Sequence, residues 1–559
     1  MHQLLQREMM YPIKWNLVHS FMQIAFIALL GCCLSFTSAV NGNGLVVLPA
    51  QHVDQLLQDE VFSQHSLVAL APLTDDLTYL RRVYLDLTGQ LPTSDEMKKF
   101  ASSSDPNKRS KLVDRLLLDS KFGTNWGRYW RDVILYRRTE DRAIVVTQSL
   151  TDYLAQHFRD NTPWDEIAQE FVTATGNVTE NGNTAIIFAQ SGEPENTAAE
   201  ISRIFMGIQI QCAQCHDHPF DRWKREQFHE LAAFFPRIAL RRERVMGQQS
   251  FRVLSHDRPD RRRKKAKQRV RGTLEHRMSD LENPSSPGKI IQPSFFATGQ
   301  KLALGVSDAQ RRAALATWMT SANNEWFSKA FVNRIWSELV GEGFVEPVDD
   351  LGPDRDIYAP KTLAYLSAEF VSHGHDIHWL FRTIMATEAY QRTSRPRGNA
   401  DDVRFSANRP QPLRSDQLHN VFLQSVDADN SDVMNNREKR RRKKYRGQRV
   451  AFQNMFGYDP SQPRDEIVAS IPQALTLMNS PQVNRAILSK RALGLRRWLL
   501  ELEDDQLVHE LYVRCLARNP TKAELATCLA FVRNVGDRQA AFEDILWTLV
   551  NSVEFRFRV

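Results

Sequence analysis

Cysteine is scarce in this chain: 6 in 559 residues, at positions 32, 33, 212, 215, 515 and 528. Two of the six sit in the first forty residues, so the rest of the chain has four. Four cysteines in a chain of this length do not make a disulfide scaffold. The fold must rest on an apolar core, and the length admits two to four domains. Long apolar runs are also missing. The stretch Phe21 to Leu34 is apolar but short for a membrane span. No Walker loop, no GxGxxG after a strand, no GxSxG and no HExxH occur, which removes the common signatures of nucleotide, dinucleotide, serine-hydrolase and zincin chemistry. There is no tandem repeat.

One motif stands out against this background. Cys212-Ala-Gln-Cys215-His216 has the two-residue cysteine spacing followed at once by histidine that tethers c-type haem. On a helical turn the three side chains fall at i, i+3 and i+4 and share a face. Two thiols can then form thioethers while the imidazole reaches the iron. A Cys212–Cys215 disulfide and a Cys/His metal site fit the same five residues. The apolar stripe Ile201, Ile204, Phe205, Ile208 precedes the motif and, continued, lands on Cys212, Cys215 and His216. The spacing therefore predicts a helix that turns the motif toward the core, with Pro219 ending it. A second helix follows, with Trp223, Phe228, Leu231 and Phe235 on its buried face. A helix before the CxxC, in place of a strand and turn, argues against a thioredoxin-like role.

The compartment is legible at the N-terminus. Arg7 and Lys14 form a positive region, Phe21 to Leu34 an apolar one, and Thr37-Ser38-Ala39 a small-residue cleavage site, so residues 1–39 read as a signal peptide. Leu29-Leu30-Gly31-Cys32 also resembles a lipoprotein box, which would lipidate Cys32, and an uncleaved anchor is a third reading. All three put the chain outside the cytoplasm, where disulfides persist. Membrane contact is then expected only through such an anchor or lipid. Cys515 and Cys528 read as one disulfide or two buried thiols.

The formal net charge of +7 conceals an acidic body. Residues 260–271 carry a net +7 and residues 437–449 a net +8, which leaves −8 for the remainder. Such blocks are ordinarily solvated loops. Their functional reading is contact with an anionic extracellular polymer or lipid headgroups. Only Tyr445 interrupts them with an aromatic ring, so nucleic acid is not expected.

Helical periodicity dominates the rest. It predicts a mainly α fold of two helical lobes, residues 69–236 and 297–556, joined by an irregular linker or minor β-rich insert at 237–296. A basic insertion lies near 430–449 within an irregular stretch from Thr393 to Arg449. Later helices are expected over Phe331 to Leu339, Leu363 to Phe370, Ile377 to Tyr390, Ile471 to Asn479, Val483 to Leu500, Asp505 to Leu516, Lys522 to Val532 and Arg538 to Phe555.

Longer patterns resemble a known family. Arg81-Arg82-Val-Tyr-Leu-Asp86-Leu-Thr-Gly89, Trp126-Gly-Arg-Tyr-Trp130-Arg-Asp132-Val133, Pro163-Trp164-Asp165, and Ala199-Glu200-Ile201 leading into Cys212 to Asp221 resemble the planctomycete secreted cytochrome-associated (PSCyt-type) domain. Phe331-Val-Asn333-Arg334-Ile-Trp336, Val345-Glu-Pro-Val-Asp349-Asp350, Ala389 to Arg392 and Asn551 to Phe555 resemble its usual C-terminal partner, the PSD-type domain. The resemblance covers roughly residues 69–236 and 297–556. It implies association with cytochromes and leaves the activity undefined. Larger relatives add an N-terminal cytochrome c domain with its own CxxCH, which has no counterpart here.

The resulting expectation is an extracytoplasmic protein, periplasmic or at the cell surface. It binds haem c at Cys212, Cys215 and His216 and works either in electron transfer with a redox partner protein or in a haem-dependent redox step. Met246, Met278, His218 and His229 are the candidates for a sixth iron ligand. The alternative is zinc held by Cys212, Cys215, His216 and His218, with Asp217 and Asp221 orienting the histidines and Glu200 or Glu226 as general base of a hydrolase acting on extracellular polymers. A non-catalytic scaffold is the third reading. Arg82, Asp86, Trp130, Asp132, Asn333, Arg334 and Asp349 read as buried ion pairs and caps. The stretch His373 to His378 reads as an ordinary turn and helix start.

Overall fold

The structure is a computed structural model. It describes residues 48–65, 69–257, 274–398, 403–426 and, with short gaps, 452–559. The expected signal segment and both basic tracts lie outside the described residues. Pro49 to Val559 form one compact unit. The fold is mainly α, as the periodicity predicts, and no helix among the described residues is long and apolar enough to cross a membrane.

Local signals set the helices. Asp75 caps Asp76–Thr88 by accepting from the amides of Leu77 and Thr78, both at 3.0 Å. Capping boxes start Ser94–Ser102 at Thr93 and Lys522–Val535 at Thr521. The expected helix Ile377 to Tyr390 is two helices, Ile377–Ala386 and Glu388–Gln391, because Thr387 accepts from the Tyr390 amide and restarts the chain. Ser552 divides the last expected helix in the same way, into Arg538–Asn551 and Val553–Arg556. The expected helix Val483 to Leu500 is instead two, Pro481–Ile487 and Leu493–Glu501. The stretch after Thr393, expected to be irregular, holds the helix Ser415–Ser425, whose Leu418, Val421 and Phe422 are buried at helical spacing.

The two helical stretches share one core. Trp130 and Trp164 from the first meet Phe331 from the second, with ring centroids 5.7 and 4.4 Å away, and Phe370 stacks on Phe331 at 5.3 Å. All four rings are almost fully buried. Burying an aromatic side chain of this size contributes about 2–3 kcal/mol, so much of the apolar driving force is common to both stretches.

Between them the chain is β-structured. Ile238–Val245 and Gln248–Ser255 form an antiparallel hairpin that Gly176–Asn177 extends to three strands. The hairpin turns at Met246 and Gly247, both at positive φ, the two-residue geometry that matches strand twist. Two-residue ladders at Arg277–Met278 with Lys289–Ile290 and at Ser294–Phe295 with Gln300–Lys301 lead into the second stretch.

Candidate functional site

The CxxCH motif lies on a surface loop, and the way its helix ends explains why. Pro194–Ile201 runs into one π-helical turn, Ser202–Met206, and stops at Gly207, whose φ is 65°. A Cβ there would lie 2.4 Å from Leu351 Cδ1, and the Gly207 carbonyl accepts from the Leu351 amide at 2.6 Å. Only glycine takes this left-handed conformation at such close approach without strain. The apolar stripe therefore ends at Ile208, short of the motif.

The chain resumes as a 3₁₀ turn, Ile210–Gln214. With three residues per turn, i and i+3 share a face. Ile210 and Ala213 take the buried face, while Cys212 and Cys215 take the exposed one and His216 follows them into solvent. The expected orientation toward the core is thus reversed. The pattern implies one straight α-helix, and Gly207 ends it. Both cysteines are free thiols, as are buried Cys515 and half-buried Cys528.

Hydrogen bonds fix the loop from below. His216 Nδ1 lies 2.7 Å from the Asp217 carbonyl oxygen. A carbonyl only accepts, so Nδ1 carries the proton and Nε2 keeps its lone pair. The Asp217 carboxylate accepts from the Arg225 amide at 3.0 Å and from Lys224 Nζ at 3.1 Å. That amide bond first, and Lys224 second, hold the carboxyl below its usual range. Arg225 Nε donates to the Gln214 carbonyl at 3.3 Å. His229 Nε2 donates to the same carbonyl at 3.1 Å, and its Nδ1 lies 2.8 Å from His276 Nε2. The first bond puts the His229 proton on Nε2, so His276 Nε2–H must be the donor to Nδ1. Burial pushes both imidazoles down to about 4, with the neighbouring His276 adding to the effect on His229.

These bonds sort the candidate ligands. His229 has both ring nitrogens engaged and is not a free iron ligand. Met246 is fully exposed at the hairpin tip and packs against nothing. His218 accepts from the Phe220 amide through Nδ1 at 3.4 Å, which places its proton on Nε2, opposite to His216. Among the described residues no three His, Cys, Asp or Glu side chains converge to hold a metal ion. Glu200 pairs with Arg203 at 2.6 Å and Glu226 with Lys289 at 2.6 Å, so both expected general bases are ion-pair partners.

A wall from the second helical stretch flanks the loop. Arg355 Nη1 donates to the Phe220 carbonyl at 3.3 Å and pairs with Asp350 at 3.0 Å. A Cβ on Gly352 would sit 1.8 Å from Asp221 Oδ2. Burial, assisted by the charge of Asp354, raises the Asp221 carboxyl above its ordinary value. Beneath the loop Asp349 is fully buried, accepts from Arg203 at 2.9 Å and Gln209 at 2.9 Å, and lies 3.7 Å from Arg334. Burial pushes its carboxyl up, yet Arg203, Arg334 and Arg137 together hold it low. Asn333 accepts from the amides of Phe344 and Val345. The polar motifs are, as expected, buried pairs and caps. Sequence reasoning missed Arg225, His276, Gly352 and Arg355. Gly352 follows the Val345–Asp350 motif closely, but nothing in the sequence said it would meet Asp221.

The stretch His373 to His378 holds one further arrangement. His375 Nδ1 is 3.4 Å from Asp165 Oδ1, and Nε2 is 3.5 Å from Ser328 Oγ. The order is that of a nucleophile, base and acid. Ser328 is 4% exposed, and His375 packs edge-on against Phe327 and Phe370, so the trio is core packing.

Comparison with known proteins gives two matches. Residues 52–239 match the family model of PSCyt2, described as a protein of unknown function (DUF1549). Residues 311–532 match that of PSD1, likewise described as a protein of unknown function (DUF1553). No curated protein and no solved structure matches.

Proposed function

We propose that this chain, which belongs to the PSCyt2 and PSD1 families, is an extracytoplasmic electron-transfer protein that carries haem c at Cys212 and Cys215 with His216 as the proximal ligand. The observation that carries the reading is the state of the loop. Two free thiols share the exposed face of one 3₁₀ turn, and the next residue is an imidazole whose Nδ1 is tied to a carbonyl and whose Nε2 lone pair is free. A hydrogen bond on the far nitrogen is what orients a metal-bound imidazole and raises its basicity. The donor set and its accessibility fit the group. Bound there, haem would supply a reversible one-electron couple.

The chain's own residues do the rest. Asp217 pins the loop to the start of the helix Arg225–Ala232, and Gln214 is held by Arg225 and His229, so the thiols and imidazole stay in register. Phe220, 75% exposed, adds an apolar surface beside the motif, suited to a redox partner protein. Export is supported by the charged, apolar and small-residue pattern of residues 1–39.

The test is expression in a host with haem-maturation machinery, followed by a visible spectrum and intact mass. A Soret band that survives denaturation and acid–acetone extraction is expected. It should vanish in the Cys212→Ala, Cys215→Ala double variant. Exported protein whose mass is that of the bare polypeptide overturns the proposal.

A further inference from the structure

We propose that a cavity beside the loop binds a carboxylated pyranose, the uronate unit of an acidic polysaccharide. The cavity holds about 290 Å³ and is walled by Trp223, Phe296 and Trp326, with Arg222, Gln227 and Glu325 among its polar lining groups. It joins three parts of the chain: the segment just after the CxxCH motif, the short β-ladder at 294–301, and the first turn of the helix Glu325–Val340.

Size comes first. At roughly 20 Å³ per non-hydrogen atom, the volume takes one six-membered ring with its substituents, near the small end of ligand pockets. Shape comes next. Trp223 and Phe296 meet edge to face, with centroids 4.8 Å apart at 69°, and Trp326 supplies a third ring. Such a corner presents aromatic faces to the C–H surface of a sugar ring.

Charge selects among rings. Glu325 is neutralised by Lys329 on the next turn. The Gln227 side-chain oxygen Oε1 accepts from the Lys224 backbone amide, which leaves the Nε2–H groups for a ligand. Arg222 uses its backbone amide on Asp221 and its guanidinium has no partner among the described residues. Beside the paired Glu325 carboxylate, the polar lining groups left for a ligand are the Gln227 amide and the cationic Arg222 guanidinium. The complementary ligand is rich in oxygen acceptors and bears one negative charge. A ring carboxylate with hydroxyls meets both demands, and a bidentate guanidinium–carboxylate contact would fix its orientation.

The inference is independent of haem, and its test uses the full chain without cofactor. Calorimetric titration with galacturonate should give a dissociation constant on the order of 1 mM, as expected for a dozen or so ligand atoms. Galactose, which lacks the carboxylate, should bind about tenfold more weakly. Arg222→Ala should lower galacturonate affinity about tenfold, Arg222→Lys less, and Trp326→Ala should abolish binding. Leu500→Ala, an exposed residue outside the cavity, should change nothing, and circular dichroism should show all variants folded. No heat with galacturonate, or affinity unmoved by Arg222→Ala and Trp326→Ala, overturns the proposal. Benzoate binding as tightly as galacturonate overturns the sugar assignment.

Discussion

The exposed loop and the network directly beneath it are both made of charged and polar side chains, yet they obey opposite rules. In the loop, Cys212, Cys215 and His216 face water, and their positions are set by backbone carbonyls and amides. In the network, Asp349, Arg203 and Arg334 are nearly fully buried and set one another's positions. The same holds at the C-terminus, where Arg558 meets Asp86 at 2.7 Å and Tyr390 donates to Asp86 at 2.8 Å. The side chains proposed to carry haem sit where solvation is cheap and are held by bonds that leave their donor atoms free. Groups that only hold are buried, where losing one partner strands the other.

The largest expected effect lies in the buried pairs. Arg558→Ala leaves the Asp86 carboxylate buried with Tyr390 as its remaining side-chain partner. The cost is about 3–5 kcal/mol, visible as a large drop in denaturation midpoint and folded yield. The Cys212→Ala, Cys215→Ala variant, altering only exposed side chains, should fall within about 0.5 kcal/mol of the parent. Comparable losses in the two variants would erase the division between holding and reacting groups.

Asp217→Ala sharpens the comparison from the other side. It removes the clamp on the Arg225 amide and on Lys224, both solvent-accessible contacts, so thermal stability should stay unchanged. Covalent haem yield should fall severalfold, because His216 and the thiols lose their common frame. Asp217→Asn keeps an acceptor for the amide and should recover most of it. A stability loss with intact haem yield would make Asp217 a structural residue only.

How much of this was legible in the sequence follows from what each signal depends on. Period and caps depend on neighbours in the chain, so the mainly α class, most helices and the buried polar motifs could be read directly. The orientation of CxxCH could not. It hinges on Gly207, which looks like any helix-interior glycine until Leu351, more than a hundred residues on, closes over it. Likewise His229 read as a free ligand because its partner, His276, sits across a β-linker. Distant partners decide such positions, and a single sequence does not name them.

That histidine pair also gives the finest test of the loop's support. Both imidazoles are neutral when folded and are held near 4, below their ordinary value of 6.5. The unfolded chain therefore binds more protons than the folded one between those values. Stability should be full above about pH 6.5 and decline as pH falls toward 4. Below that the folded pair protonates too, and the decline should level off. Carboxylates with lowered values, such as Asp217 and Glu275, lose their contributions on acidification as well, so the slope alone does not isolate the histidines. His276→Phe does: it keeps a ring at that position, removes one titrating group and should flatten the profile between pH 6.5 and 4. Because the His229–Gln214 bond stays, haem attachment at pH 7 should be unchanged. A profile as steep as the parent's would mean that the pair opens to water before it protonates, and that the loop rests on Arg225 and Asp217 alone.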